Sequence, residues 1–425
     1  DARIYESGGA WMEGASRRKG EGSSMESGKV RSSNFELLRI AAMLMIVMFH
    51  IFLHWPKAQL TDMNSINFFG NGLFNRPEFY PQLWLIHAAM PLGPVGNGLF
   101  IMLSGYFLAS REKIDLARVS QKILMQLFFA TVLLVIASAL FDSLYNQDTG
   151  MYLALIVSGE FNNGWWFIGY YFVVIVIAAL FLNKFLAGLE EKQYFTFLIT
   201  LLAFVQFSWS GRLLDGLASE LRTAGIGVFF YALGGFLHKY QPFKEIKTRS
   251  LLFAIALVSL FHLLSSYNVT RGNIESFVRN GGNGDFVQFI GELGNFDILV
   301  VILVVCLFEI FRRIRIPHSR IINFLGSSTF MIYLIHENAF FWSLYNIRDC
   351  ITLLYDQPFL LLLEILKWTL LDFLLGVSAY TIFGILLRAV RLRRKRAARL
   401  LEPMGKGRIE LEIASAQKAE DRERH

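Results

Sequence analysis

Apolar residues run through this chain in stretches too long for the core of a soluble domain and too continuous for alternating strands. Ten stretches carry the pattern: 35–55, 84–108, 120–141, 165–186, 194–209, 223–238, 250–267, 296–312, 322–343 and 359–390. Most approach the ~20 residues that an α-helix needs to cross the hydrocarbon core of a bilayer. Lipid admits helices and closed barrels as spanning structures, and a barrel would show short alternating segments. The pattern therefore predicts an all-α, polytopic integral membrane protein with about ten transmembrane helices. The tenth stretch exceeds what a bilayer requires, so it is expected to tilt or to project beyond it. The run 151–158 is too short to span and reads as interfacial or re-entrant.

Composition agrees with the pattern. Of the 425 residues, 54% are hydrophobic and only 18% charged, against about a quarter charged in soluble domains. The net charge of +7 would suit nucleic acid in a soluble protein; here its placement along the chain is what matters, and no nucleic-acid partner is expected. From Arg17 to Arg399, the N-terminal tail, the even-numbered connections and the C-terminal tail hold 26 Lys and Arg, against 7 in the odd-numbered connections. The positive-inside rule then puts both termini in the cytoplasm, which requires an even helix count. Residues 1–33 read as a disordered cytoplasmic tail without a signal-peptide core, 34–391 as the transmembrane domain, and 392–425 as a basic, then mixed-charge cytoplasmic tail. The basic tail could also hold anionic membrane lipids. Cys306 and Cys350 offer no disulfide framework.

Candidate chemistry begins in the first helix, SNFELLRIAAMLMIVMFHIFLHW, at 33–55. Arg39 and His50 interrupt its apolar run. Eleven residue steps place them about 20° apart around the axis and roughly 16 Å apart along it, on one stripe. A snorkelling arginine and a satisfied interior histidine would give the same pattern. An ionisable residue at membrane depth more often faces a polar cavity or a partner when a second one shares its stripe. His54, one turn further on, is expected near the outer interface and off the stripe, and so to tolerate replacement.

Three later stretches carry polar or small residues at similar depth. PLGPVGNGLFIMLSGYFL, at 91–108, has prolines that should break the early helix and glycines that allow close approach, with Ser104 and Tyr106 near its end. Trp165 to Tyr170 form an aromatic start to the fourth helix, where Trp166 and Tyr170 could line a cavity or belong to an interfacial belt. Glu160 precedes them on the outer side. The ninth stretch reads Leu325-Gly326-Ser327-Ser328, then Tyr333-Leu334-Ile335-His336. His336 could belong to a site or be an outer-interface histidine held by Glu337 or Asn338.

Taken together and in this order, these stretches resemble the integral-membrane acyltransferase 3 family over roughly 34–391. The resembling residues are Glu36, Arg39 and His50, then Phe100 with Ser104-Gly105-Tyr106, then Trp166 with Tyr170, then Gly326 with Tyr333 and His336. The resemblance implies an O-acyltransferase that moves an acyl group, most often acetyl, from acyl-CoA in the cytoplasm to a hydroxyl of a cell-surface glycan or its lipid-linked precursor. The donor substrate would be acetyl-CoA or another acyl-CoA, with no metal, in the plasma membrane. His50 would be the base or a transient acyl carrier, since an imidazole takes and returns a proton near neutrality. Arg39 would orient or neutralise the donor. Glu36, Ser104, Tyr106, Glu160, Trp166, Tyr170, Tyr333 and His336 would support or bind substrate. Two departures stand out: Glu36 replaces the more usual Asp, and Arg118-Val-Ser-Gln-Lys122 replaces an Arg-x-x-Arg element found in some relatives. A transporter or flippase of glycan precursors would also fit ten helices with internal charges.

Overall fold

The computed structural model describes residues 32–61, 80–145, 165–206, 215–279 and 297–423. Among them every regular element is helical. In chain order these are α1 (Ser33–Phe52), a π-helical turn (Leu53–Lys57), α2 (Ala58–Thr61), α3 (Tyr80–Ala89), α4 (Leu92–Leu108), α5 (Leu116–Tyr145), α6 (Trp166–Ile177), a second π-helical turn (Ala178–Leu182), α7 (Asn183–Ala187), α8 (Glu191–Gln206), α9 (Asp215–Tyr240), α10 (Thr248–Arg279), α11 (Ile298–Arg313), α12 (Arg320–His336), α13 (Ala339–Tyr345), α14 (Cys350–Asp356) and α15 (Pro358–Glu423). The expected tail 1–31, the run 151–158 and Glu160 lie outside the described residues.

The protein is an all-α membrane protein. Among the described residues, six helical stretches are long and apolar enough to cross a bilayer: Ser33–Lys57, Trp84–Leu108, Leu116–Leu140, Trp166–Ala187, Thr248–Gly272 and Pro358–Arg393. The other four expected spans correspond to α8, α9, α11 and α12. Three of these have 16 or 17 residues. The fourth, α9, includes Asp215, Glu220, Arg222 and Lys239.

The structure bears out one expected interruption and corrects two boundaries. The second stretch is two helices, parted at Met90-Pro91 where proline cannot continue the ladder of α3. The ninth, expected to run through 343, stops at His336. Asn338 there adopts extended backbone and caps α13, its Oδ1 accepting from the Phe341 N–H. The last helix continues from its expected end at 390 to Glu423; 391–423 is rich in Arg, Lys, Glu, Ala and Leu, all strong helix formers.

The chain forms two compact units, Asp1–Val377 and Ser378–His425. The first holds the core and every residue discussed below. Its core is shared by α1, α4, α9 and α11, with Leu38, Leu99, Met102, Tyr231, Val304 and Phe308 fully buried. In lipid, helices associate through close packing and hydrogen bonds, which small residues permit. A Cβ on Gly105 would lie 1.8 Å from the Tyr231 carbonyl oxygen, and one on Gly234 would lie 2.1 Å from that of Met102. Glycine is thus what lets α4 and α9 touch backbone to backbone. Side chains seal the remaining backbone groups: Asn183 Nδ2 donates to the Leu108 and Arg111 carbonyls at the end of α4.

Candidate active site

α1 and α12 lie side by side and run the same way. Three contacts set their register: Ser33 Oγ donates to Asn323 Oδ1 at 3.0 Å, Glu36 packs on Gly326, and His50 meets His336. Steps of three and four residues along a helix keep side chains on one face. Arg39, Met43 and Ile46 on α1 therefore face Gly326, Ser327, Thr329, Phe330 and Tyr333 on α12. Phe100 and Ser104 of α4, with Phe167, Ile168 and Tyr171 of α6, complete the walls. The cavity is open on one side; its empty space, the open mouth included, is ≈ 740 Å³, and its lining is mostly apolar. On both helices the next residue of the stripe is a histidine, His50 on α1 and His336 on α12.

At the lower end, Arg39 Nη1 donates to Glu36 Oε1 at 2.6 Å, and both side chains are buried. A Cβ on Gly326 would meet Glu36 Oε2 at 2.3 Å, so glycine leaves the room in which this pair forms. Removing either member of a buried pair strands the other charge.

At the upper end, His50, His336 and Glu337 are 6%, 0% and 3% exposed. His336 Nδ1 donates to the Ile332 carbonyl at 2.8 Å. A carbonyl only accepts, so His336 Nε2 presents a lone pair. His50 Nδ1 lies 2.9 Å from that nitrogen and 2.9 Å from Glu337 Oε2. Both neighbours are acceptors, so His50 Nδ1 carries the proton and its basic nitrogen is Nε2. Glu337 also reaches His54, with Oε1 3.3 Å from His54 Nε2. The three groups His50, His336 and Glu337 have ligand atoms within 4.8 Å of one another, close enough for a metal ion. Their 2.9 Å separations are hydrogen-bond lengths, shorter than the about 3.3 Å between ligands on tetrahedral zinc. The arrangement sets one imidazole beside a second imidazole and a buried carboxylate, each 2.9 Å from its Nδ1.

Two local irregularities build this end. Asn338 Nδ2 donates to the Ile335 carbonyl at 2.6 Å, which holds the break after α12 and keeps Glu337 inside. On α1, Pro56 has no N–H to give, and the helix loosens into the π-helical turn 53–57. That turn carries Trp55, whose Nε1 donates to the Arg348 carbonyl, and His54, whose ring stacks on Trp342 at 4.1 Å. His54 is therefore part of the cluster, contrary to the expected position off the stripe.

The comparisons with known proteins bear on what this site belongs to. A family model described as the acyltransferase domain, that of acyltransferase 3, matches residues 32–388. The chain belongs to the acyltransferase 3 family. Searches of curated proteins and of solved structures found no match. The matched span contains the parallel pair α1 and α12 and every wall of the cavity.

Within this acyltransferase, the expected site residues fall into two groups. Arg39, Ser104 and Tyr333 line the cavity and Glu36 supports Arg39, while His50 and His336 lie beyond the lining, one helical turn past Ile46 and Tyr333. Ser104 Oγ donates to the Phe100 carbonyl at 3.0 Å and lies 3.4 Å from the Tyr171 hydroxyl. Tyr333 stands between cavity and base, its ring 6.4 Å from that of His50 and 5.9 Å from that of His336. Tyr106 instead packs among Phe35, Phe107, Phe308 and His238. Trp166 is 44% exposed, and Tyr170 packs against Gly227; their neighbours Phe167, Ile168 and Tyr171 take the cavity positions. Arg118 lies 3.6 Å from Asp115. The sequence offers Glu337 as a partner of His336, whereas in the structure its carboxylate meets His50 and His54. Its adjacency in Tyr-Leu-Ile-His-Glu was the available signal, but its direction depends on the helix ending one residue earlier.

Proposed function

We propose that this acyltransferase moves an acyl group, acetyl by preference, from acyl-CoA in the cytoplasm to a hydroxyl of a cell-surface glycan or its lipid-linked precursor, across the plasma membrane in which it sits. The observation that carries the reading is the position of His50 Nδ1, 2.9 Å from both His336 Nε2 and Glu337 Oε2, which assigns the ring proton to Nδ1 and leaves Nε2 basic. In the proposed reaction the arm of the donor enters the cavity past Arg39, and the thioester carbonyl comes to the His50 end. Nε2 takes the proton of the acceptor hydroxyl as its oxygen attacks that carbonyl. The carbon–sulfur bond breaks, and the leaving thiolate takes the proton back from the imidazolium. Glu337 stabilises the transient positive charge on His50, the role a carboxylate beside a catalytic imidazole fills in hydrolases. Water would compete for the acyl group, and the apolar walls of Met43, Ile46, Phe100 and Phe330 exclude it.

The test is acyl-CoA consumption by the purified protein in lipid nanodiscs, with and without a glycan acceptor, followed by release of free thiol. Acceptor-dependent thiol release supports the reading. Vectorial movement of an unmodified glycan precursor without thiol release contradicts it and favours a transporter.

A further inference from the structure

Below the cavity, around the start of α12, stand two exposed cations, Arg315 and Arg320. The connection between α11 and α12, residues 314–319, is fastened to the start of α1: the Ser319 N–H donates to Ser33 Oγ at 2.9 Å, and that hydroxyl donates to Asn323. Two arginines just before it already share a carboxylate. Arg312 and Arg313 both reach Glu309, at 2.7 and 2.9 Å, and Arg313 also donates to the Phe243 and Ile246 carbonyls. Arg315 and Arg320 differ. Both are exposed, and neither has a carboxylate partner among the described residues.

Their position follows from the parallel pair. Arg39 lies six residues beyond Ser33 on α1, and Gly326 six residues beyond Arg320 on α12. Six residues of helix are about 9 Å, and both Arg39 and Gly326 line the cavity. Arg320, the first residue of α12, thus stands about 9 Å below its lower end, and Arg315 lies on the connection that leads from α11 into α12 and is fastened to the start of α1. Planar guanidinium groups match phosphate oxygens in paired hydrogen bonds, and the start of α12 adds the positive end of a helix dipole. We propose that Arg315 and Arg320 bind the phosphates of the donor's nucleotide portion while its thioester arm lies in the cavity. This rests on the acyl-CoA reading above. The same chemistry would hold the phosphate of an anionic lipid headgroup; the alignment with the cavity favours the donor.

The experiment uses the full chain in nanodiscs of zwitterionic lipid. Binding of acetyl-CoA is compared with binding of acetyl-pantetheine, the thioester without its nucleotide and phosphates. The Arg315→Gln/Arg320→Gln double variant is predicted to lose about tenfold in acetyl-CoA affinity, since exposed charge pairs are individually weak, with acetyl-pantetheine binding and melting temperature unchanged. The wild-type affinity for acetyl-CoA is predicted to fall with added salt more steeply than that of the variant. Equal acetyl-CoA affinity in wild type and variant overturns the assignment and leaves the acyl-CoA reading standing. Equal donor affinity together with loss of co-purified anionic lipid assigns the arginines to headgroups and likewise overturns it. A wild type that binds neither thioester removes the acyl-CoA reading itself.

Discussion

At the scale of residues, the account turns on how one carboxylate serves two histidines. Glu337 contacts His50 through Oε2 and His54 through Oε1. Glu337→Gln keeps the shape and removes the charge, so the imidazolium formed during transfer loses its counterion. Turnover is expected to fall about 10²-fold with unchanged protein level and donor affinity, read from saturation kinetics in nanodiscs. His54→Ala should cost less, about three- to tenfold, because His54 reaches His50 through Glu337 and a tilted ring contact at 5.8 Å, with no hydrogen bond of its own to it. Full activity in Glu337→Gln would reduce Glu337 to a packing residue. His50, Arg39 and His336 were legible in the sequence because a histidine or arginine in an apolar helix is conspicuous. Glu337 was not, since it stands at the end of a helix, where charged residues are ordinary. Phe167 and Tyr171 were hidden for another reason: in an aromatic run, periodicity alone does not say which ring turns inward.

At the scale of elements, close packing decides what the helices can bring together. The site needs α1, α4, α6 and α12 around one cavity, and α4 is seated by its backbone contact with α9. Gly105→Ala would push a methyl group to 1.8 Å from the Tyr231 carbonyl oxygen, so the two helices must part. A loss of about 3 kcal/mol is expected, from overpacking against rigid backbone, measured as a lowered melting temperature in detergent. An unchanged melting temperature would show that α4 and α9 can shift apart at no cost. Gly326→Ala is expected to act differently: its methyl group meets the Glu36 side chain, so donor affinity should fall more than stability. The helices themselves could be read from hydrophobic runs. Their interruptions were less legible: Pro91 announced the break before α4, whereas the end of α12 at His336 depends on the Asn338 cap, and nothing in the apolar pattern of 322–343 marks it. The π-helical turn at 53–57 is likewise invisible to a reading that assumes 3.6 residues per turn, and it changes where His54 points.

At the scale of the whole molecule, the parallel course of α1 and α12 constrains topology. Helices that begin together, at Ser33 and Asn323, and end together, at His50 and His336, must enter the membrane from the same side. By the positive-inside rule, the basic asymmetry of the connections predicts that this side is the cytoplasm. Single cysteines introduced at Arg111 and Arg315 in a background without Cys306 and Cys350 are therefore predicted to resist a membrane-impermeant thiol reagent in intact cells, and one at Asn346 to react. Labelling at Arg111 or Arg315 would reverse the orientation and strand the proposed donor site outside. The central claim is that His50 is the base, and the measurement that bears on it most directly is acyl transfer by purified His50→Ala in nanodiscs, with wild type and His50→Gln alongside. The account predicts a loss of about 10²–10⁴-fold for both variants, with acetyl-CoA still bound and the melting temperature close to wild type. Transfer at the wild-type rate by folded His50→Ala protein would contradict it.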